Sequence, residues 1–187
     1  MRHRLFAAHY SSMNDPMEGL WHYGGEETLW GDDIRYVYDQ IDKYRVTSVS
    51  LNPLSTLMWS HYADSHRGLV IGLEIPEQEG VRLAPVRYSS HYTIARDATD
   101  IGLDVLTKKF KVWEYEQEVR VLGSRAFIEA VPREIVFGVR ADTDFMSLLK
   151  EIVSAYCPSA TARQLRLEEL DTHVKAPQLT GSNASGA

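Results

Sequence analysis

Two glutamates and an arginine stand at chemically useful spacing in the segment Val112-Trp113-Glu114-Tyr115-Glu116-Gln117-Glu118-Val119-Arg120-Val121. In an extended chain side chains alternate between faces, so Glu116, Glu118 and Arg120 share one face while Gln117, Val119 and Val121 share the other. Two carboxylates beside a guanidinium, close to Trp113 and Tyr115, can orient hydroxyls, shift a pKa or hold a cation. The same charges also describe an ordinary surface salt-bridge ladder. Convergence of other segments on this one separates the two readings. A site predicts that Val119 and Val121 anchor the strand in the core, that Trp113 packs at the entrance, and that Glu118 and Arg120 form a pair exposed to a cleft.

Two upstream segments carry residues suited to join it. In Asn14-Asp15-Pro16-Met17-Glu18, Asn14 or Asp15 before Pro16 reads as a helix N-cap, with Glu18 in the first turn, and capping explains these residues without any function. Further on, Asn52 caps, Pro53 opens, and Gly68 stops a helix through Leu54–Ala63. At helical spacing Leu54, Leu57, Met58 and His61 form one stripe, while Trp59, Tyr62 and His66 form an aromatic one beside it. The second stripe suits a planar ligand or a partner, or else a helix buried between two layers. His61 is a candidate ligand-binding residue, against the plainer reading of a satisfied core histidine.

The remaining elements must position these residues. Arg4–Tyr10 reads as a strand. Gly24-Gly25 breaks the chain ahead of a helix through Ile34, Val37, Tyr38, Ile41 and Tyr44. Val46–Leu51 is a strand with Ser48 and Ser50 on a small polar face that can border a pocket. Gly68–Ile75 is an apolar run, the pattern of a strand buried on both faces in mid-sheet. Val81–Tyr88 gives another strand. Thr93–Phe110 reads as a helix, with Lys108, Lys109 and Lys111 as its solvated C-terminal end. Glu134–Val139 is a strand, Asp142 or Thr143 caps a structural helix through Phe145–Tyr156, and Gln164–Glu168 closes the sheet. The strands and helices intermix without regular alternation, which predicts an α+β fold: a single domain over 1–175, with a mixed, mostly antiparallel sheet flanked by helices, and a flexible tail over 176–187.

Length and composition narrow the function classes. A chain of 187 residues with a net charge of −6 supports one core and argues against a broad nucleic-acid or anionic-membrane footprint. Cys157 is the only cysteine, so no internal disulfide forms. Without a transmembrane-length run or the apolar core of a signal peptide, the expected location is cytoplasmic. There is no phosphate-binding glycine loop, paired-cysteine zinc pattern or nucleophile elbow. A metal site from Asp15, Glu18, His61, Glu116 and Glu118 requires long-range convergence.

Taken together, Met13–Glu18, Leu57–Ala63 with Gly68 beyond, and Trp113–Arg120 resemble the bacterial family catalogued as domain of unknown function 2971, whose motifs read NDPxE, MWxxYA and WxYExEyR in this order. The resemblance extends from about Leu5 to Val174. It implies that Asn14, Asp15, Glu18, Trp59, Tyr62, Trp113, Glu116, Glu118 and Arg120 act together, and it names no reaction. Family members carry an additional strand ahead of the segment that opens this chain.

Three functional readings follow. The first is an enzyme acting at an N-glycosidic bond of NAD or a related nucleotide, similar in outline to the ADP-ribosyltransferase fold. Glu116 or Glu118 would stabilise an oxocarbenium-like transition state, Trp59 and Tyr62 would stack nicotinamide, and Asn14 or Arg120 would orient a phosphate or amide. The second is a non-catalytic interaction or sensor module of a stress or phage-defence system, with the aromatic stripe as its protein contact. The third is a metal-dependent phosphoesterase using the acidic set.

Overall fold

The computed structural model describes residues 3–22, 31–91, 93–94 and 98–171. The expected chain break at Gly24-Gly25 and the tail over 176–187 lie outside them. The element order is β1 (Arg4–Phe6), α1 (Gly31–Ile41), β2 (Arg45–Ser50), α2 (Thr56–Tyr62), β3 (Leu69–Glu74), β4 (Val81–Pro85), β5 (Arg87–Ser89), α3 (Ile101–Leu106), β6 (Lys108–Phe110), β7 (Glu118–Gly123), β8 (Phe127–Glu129), β9 (Val131–Phe137), α4 (Thr143–Tyr156) and β10 (Thr161–Gln164), with 3-10 turns at Tyr10–Ser12, Lys111–Glu116 and Leu167–Glu169.

The fold is α+β with mostly antiparallel strand pairs, divided among several small sheets rather than gathered in one. β7 is central in β2-β7-β4 and antiparallel to both neighbours. Its register sets Leu122 opposite Val46, Arg120 opposite Ser48 and Ala84, and Glu118 opposite Ser50. One face of the strand therefore runs from hydrocarbon to charge within four residues. At the hydrocarbon end Val46 and Leu122 pack with Val37 and Ile41 of α1 and Val105 and Leu106 of α3, each full burial contributing about 2 kcal/mol. On the opposite face Val121 packs with Ala7 and Ile128, next to the antiparallel β1–β8 pair.

The second three-stranded sheet places β9 between antiparallel β3 and parallel β10. Its core joins Trp59 of α2 and Ala63 just after it to Val136, Leu165 and Leu170. A third, parallel pair links β5 to β6, with Tyr88 opposite Lys109.

Several expectations are corrected. Asn52 accepts a hydrogen bond from the Leu54 amide at 3.0 Å, but that closes only a turn. The helix begins at Thr56, capped by Ser55 Oγ on the Met58 amide. β3 is an end strand, with Ile71 47% exposed, so it is not buried on both faces. Among the described residues of the long helix expected over 93–110, the helix is Ile101–Leu106, capped by Asp100 and ended at Thr107, because Lys108 and Lys109 enter β6 instead. The closing strand lies earlier, at Thr161–Gln164. α4 carries the expected Asp142 cap but buries none of its residues, and Phe145 touches Phe137 edge-on. Asp15-Pro16 opens a turn rather than a helix. No helix among the described residues is long and apolar enough to cross a membrane.

Candidate functional site

The floor of a cleft of about 410 Å³ is built where β7 meets the turn before it. That size suits a small molecule. Glu116 does not arrive on an extended strand: it ends the 3-10 turn Lys111–Glu116, and Gln117 then takes a left-handed conformation at φ 43°. Ser50 Oγ ties the turn to β2 by donating to the Glu116 carbonyl at 2.6 Å, and the Leu51 amide donates to the Gln117 carbonyl at 3.1 Å. Glu116 and Glu118 face the same cleft, as alternation expected, but Glu116 does so from the turn rather than from the strand.

Lys109 joins the two carboxylates. Its Nζ donates to Glu116 Oε2 at 2.5 Å and to Glu118 Oε2 at 3.1 Å, and it lies 5.1 Å from the centre of the Trp113 ring. Arg120 is fully buried beneath. It donates from Nε to Glu118 Oε1 at 3.1 Å, from one terminal nitrogen to the Leu106 carbonyl at 2.5 Å and from the other to Glu18 Oε1 at 2.5 Å. Ser48 Oγ also donates to Glu118 Oε1, and Tyr62 donates to Glu116 Oε1 at 2.8 Å. Tyr88, facing Lys109 across the β5–β6 pair, accepts from the Glu118 amide at 2.8 Å. Buried charges persist when paired and hydrogen-bonded in this way.

The pairing fixes protonation. Burial pushes the Glu118 carboxyl up, but Arg120, Ser48 and Lys109 together outweigh it and hold the group below the ordinary carboxylate range. Burial likewise works against a charged Lys109, and its two glutamates overcome it, so the ammonium stays protonated well above the usual lysine range. Burial and the bond to Glu116 push the Tyr62 hydroxyl up to about 12. Glu18 moves the other way: burial raises its carboxyl above the ordinary range, and Arg120, shared with Glu118, only partly offsets this. At neutral pH the floor thus offers a fixed carboxylate, a fixed ammonium and an un-ionised phenol.

Of the predicted residues, Asn14, Asp15, Glu18, Tyr62, Trp113, Glu116 and Glu118 line the cleft. Arg120 lies under it with no exposed surface, so it is not the cleft-exposed partner expected for Glu118. Trp59 is 1% exposed, donates from Nε1 to the Pro53 carbonyl at 2.7 Å and stacks on His66 in the second core, so it is no ligand-stacking residue. His61 points outward, its ring near Tyr62 and Tyr115, and does not line the cleft. The aromatic stripe thus divides: Tyr62, with Met58 of the neighbouring stripe, faces the cleft and Trp59 the core.

Sequence reasoning missed Lys109 altogether, taking it for a solvated helix end, although it is 7% exposed and holds the floor together. Its seven-residue separation from Glu116 spans a strand and a turn and forms no recognisable local pattern. Ser48 and Ser50, by contrast, border the pocket as their alternation suggested. Among the described residues no three His, Cys, Asp or Glu side chains come together as a metal-ligand set. Compared with protein-family models, curated proteins and solved structures, the chain matches none.

Proposed function

We propose that the cleft is the active site of an enzyme that breaks or transfers at an N-glycosidic bond, ADP-ribosyltransferase-like in its chemistry and acting on NAD or a related nucleotide. The observation that carries this reading is the carboxylate pair Glu116 and Glu118, both bonded by Lys109 on the cleft floor below an aromatic wall of Tyr62 and Trp113. As the bond between ribose C1′ and the base nitrogen breaks, its electron pair leaves with the base and positive charge develops on the sugar. A fixed carboxylate at that position lowers the barrier, because it needs no reorganisation during the reaction. Glu118 suits that role. Glu116, which has no guanidinium partner, suits hydrogen bonding to a ribose hydroxyl or receiving the proton of the attacking nucleophile. Trp113 takes the stacking role first assigned to Trp59, and Asn14, whose amide bonds the Tyr62 hydroxyl, is set at the rim.

The three motifs by which the chain resembles the domain of unknown function 2971 family each contribute to this cleft, which supports treating them as one site in a divergent relative. The partner-module reading is weakened because its central contact, Trp59, lies in the core. The phosphoesterase reading is weakened because Glu18, Glu116 and Glu118 are engaged by Lys109 and Arg120. The test is release of nicotinamide from NAD, or labelling of protein with its ADP-ribose, by the full chain. The expected result is turnover that falls at least about 100-fold in Glu118→Gln. No turnover by the folded, unmutated chain with NAD or any related nucleotide would sink the reading.

A further inference from the structure

Asp15 is 7% exposed and lines the cleft, yet only one of its carboxylate oxygens has a partner. Oδ1 accepts the Met17 amide at 2.9 Å, closing the turn that its place before Pro16 explains. Oδ2 is buried without any hydrogen bond. Turn formation accounts for the first oxygen and leaves the second unexplained, and a buried acceptor without a donor is costly. The surroundings add a sign. In and under the cleft four carboxylates, Asp15, Glu18, Glu116 and Glu118, face two cations, Lys109 and Arg120. Both cations are already committed to Glu18, Glu116 and Glu118, so neither neutralises Asp15.

We infer that the cleft recognises a small organic cation carrying an N–H donor, and that Asp15 Oδ2 is the acceptor that reads it. A phosphate-first mode of binding is ruled against by the same charge excess. Deepening the enzyme reading and resting on it for the reaction, the inference assigns the cationic carboxamide end of the nucleotide, rather than its pyrophosphate, to this side of the cleft. The same chemistry is offered by a protonated amine or guanidine. The aromatic wall of Trp113 and Tyr62 favours the planar source, since a delocalised cation both stacks and donates.

Calorimetric titration of the full chain with 1-methylnicotinamide, agmatine and the planar aromatic anion benzoate tests this without requiring turnover. The expected result is binding of 1-methylnicotinamide at least about tenfold tighter than benzoate, and its loss by a similar factor in Asp15→Asn, which keeps an oxygen for the Met17 amide but presents a donor in place of Oδ2. Agmatine binding more tightly than 1-methylnicotinamide would keep the charge reading and reassign the source to an amine. Benzoate binding as well as either cation overturns the inference on the unmutated protein alone, whether or not the variant folds. Unchanged cation binding in a folded Asp15→Asn also overturns it. Cation binding that depends on Asp15 in a chain with no NAD turnover removes the enzyme reading and leaves this one standing. Turnover with binding indifferent to Asp15 does the reverse.

Discussion

Replacing Lys109 by methionine separates a structural keystone from a surface lysine. Methionine keeps most of the aliphatic volume and removes one charge. Lys109 Nζ lies 2.5 Å from Glu116 and 3.1 Å from Glu118, and all three side chains are at most 8% exposed. After the substitution Glu118 retains Arg120 at 3.1 Å and Ser48, whereas Glu116 retains only the Tyr62 hydroxyl at 2.8 Å. The loss therefore falls on Glu116, a buried carboxylate left without a cation. Removing one partner of a buried pair costs about 3–5 kcal/mol, a large part of the about 5–15 kcal/mol that a domain possesses. With a urea slope of about 2 kcal/mol per molar, the unfolding midpoint falls by about 1.5–2.5 M. Adding Glu116→Gln to Lys109→Met removes the stranded charge and recovers at least about 1 kcal/mol, a coupling that a double-mutant cycle reads directly. A midpoint shift under about 0.5 M, with additive single and double variants, would refute the network and return Lys109 to the solvated end of a helix.

Other outcomes follow from the same geometry. Alkaline titration by near-ultraviolet absorbance should show Tyr44 and Tyr62 ionising near 12; because the folded value of Tyr62 lies above the unfolded value near 10, its contribution to stability is present below about pH 10 and lost between pH 10 and 12, and Tyr62→Phe should remove one late-titrating group and flatten that loss. Trp59→Ala should cost about 3–5 kcal/mol in urea unfolding, whereas Trp113→Ala should cost less than about 1 kcal/mol and weaken ligand binding by calorimetry; the opposite ranking would mean the two tryptophans have been assigned the wrong way round. Gly138→Ala should destabilise by about 1–3 kcal/mol, since a Cβ there meets the carbonyl of His66, the last of three consecutive left-handed residues after α2, and a thermal melt within experimental error of the unmutated protein would contradict this.

The parts of the site that were legible in the sequence are those governed by a two-residue period. Glu118 and Arg120 against Val119 and Val121, and Ser48 and Ser50 against Val49, follow from the pleat alone, and the register of β2 on β7 brings both polar sets to one face. The parts that were not legible depend on where that period breaks. Glu116 was expected on the strand, on the face of Glu118; it shares the cleft with Glu118 from the 3-10 turn before β7, which ends where Gln117 turns left-handed, a backbone choice that no side-chain pattern announces. The split of Trp59 from Tyr62 has a similar origin. Three positions apart on a helix, they differ by about 60° in direction, so a sequence stripe can hold both while one packs in the second core and the other lines the cleft.

This also explains why charge is tolerated so deep in the molecule. Arg120 follows Val119 and precedes Val121, both buried, so its backbone is fixed by a strand that cannot slip without turning those valines out of the core. The core sets the position of the guanidinium, and the guanidinium in turn sets Glu118, Glu18 and the Leu106 carbonyl at the end of α3. Arg120→Lys should therefore damage stability and site together. A lysine presents one ammonium where the guanidinium makes three directed contacts, so at least one of Glu18, Glu118 and the Leu106 carbonyl loses its donor, at about 1–3 kcal/mol for each buried group left unpaired. Equal stability in Arg120→Lys, by urea unfolding, would show that the three contacts do not act as a fork and that the floor is held by Lys109 alone.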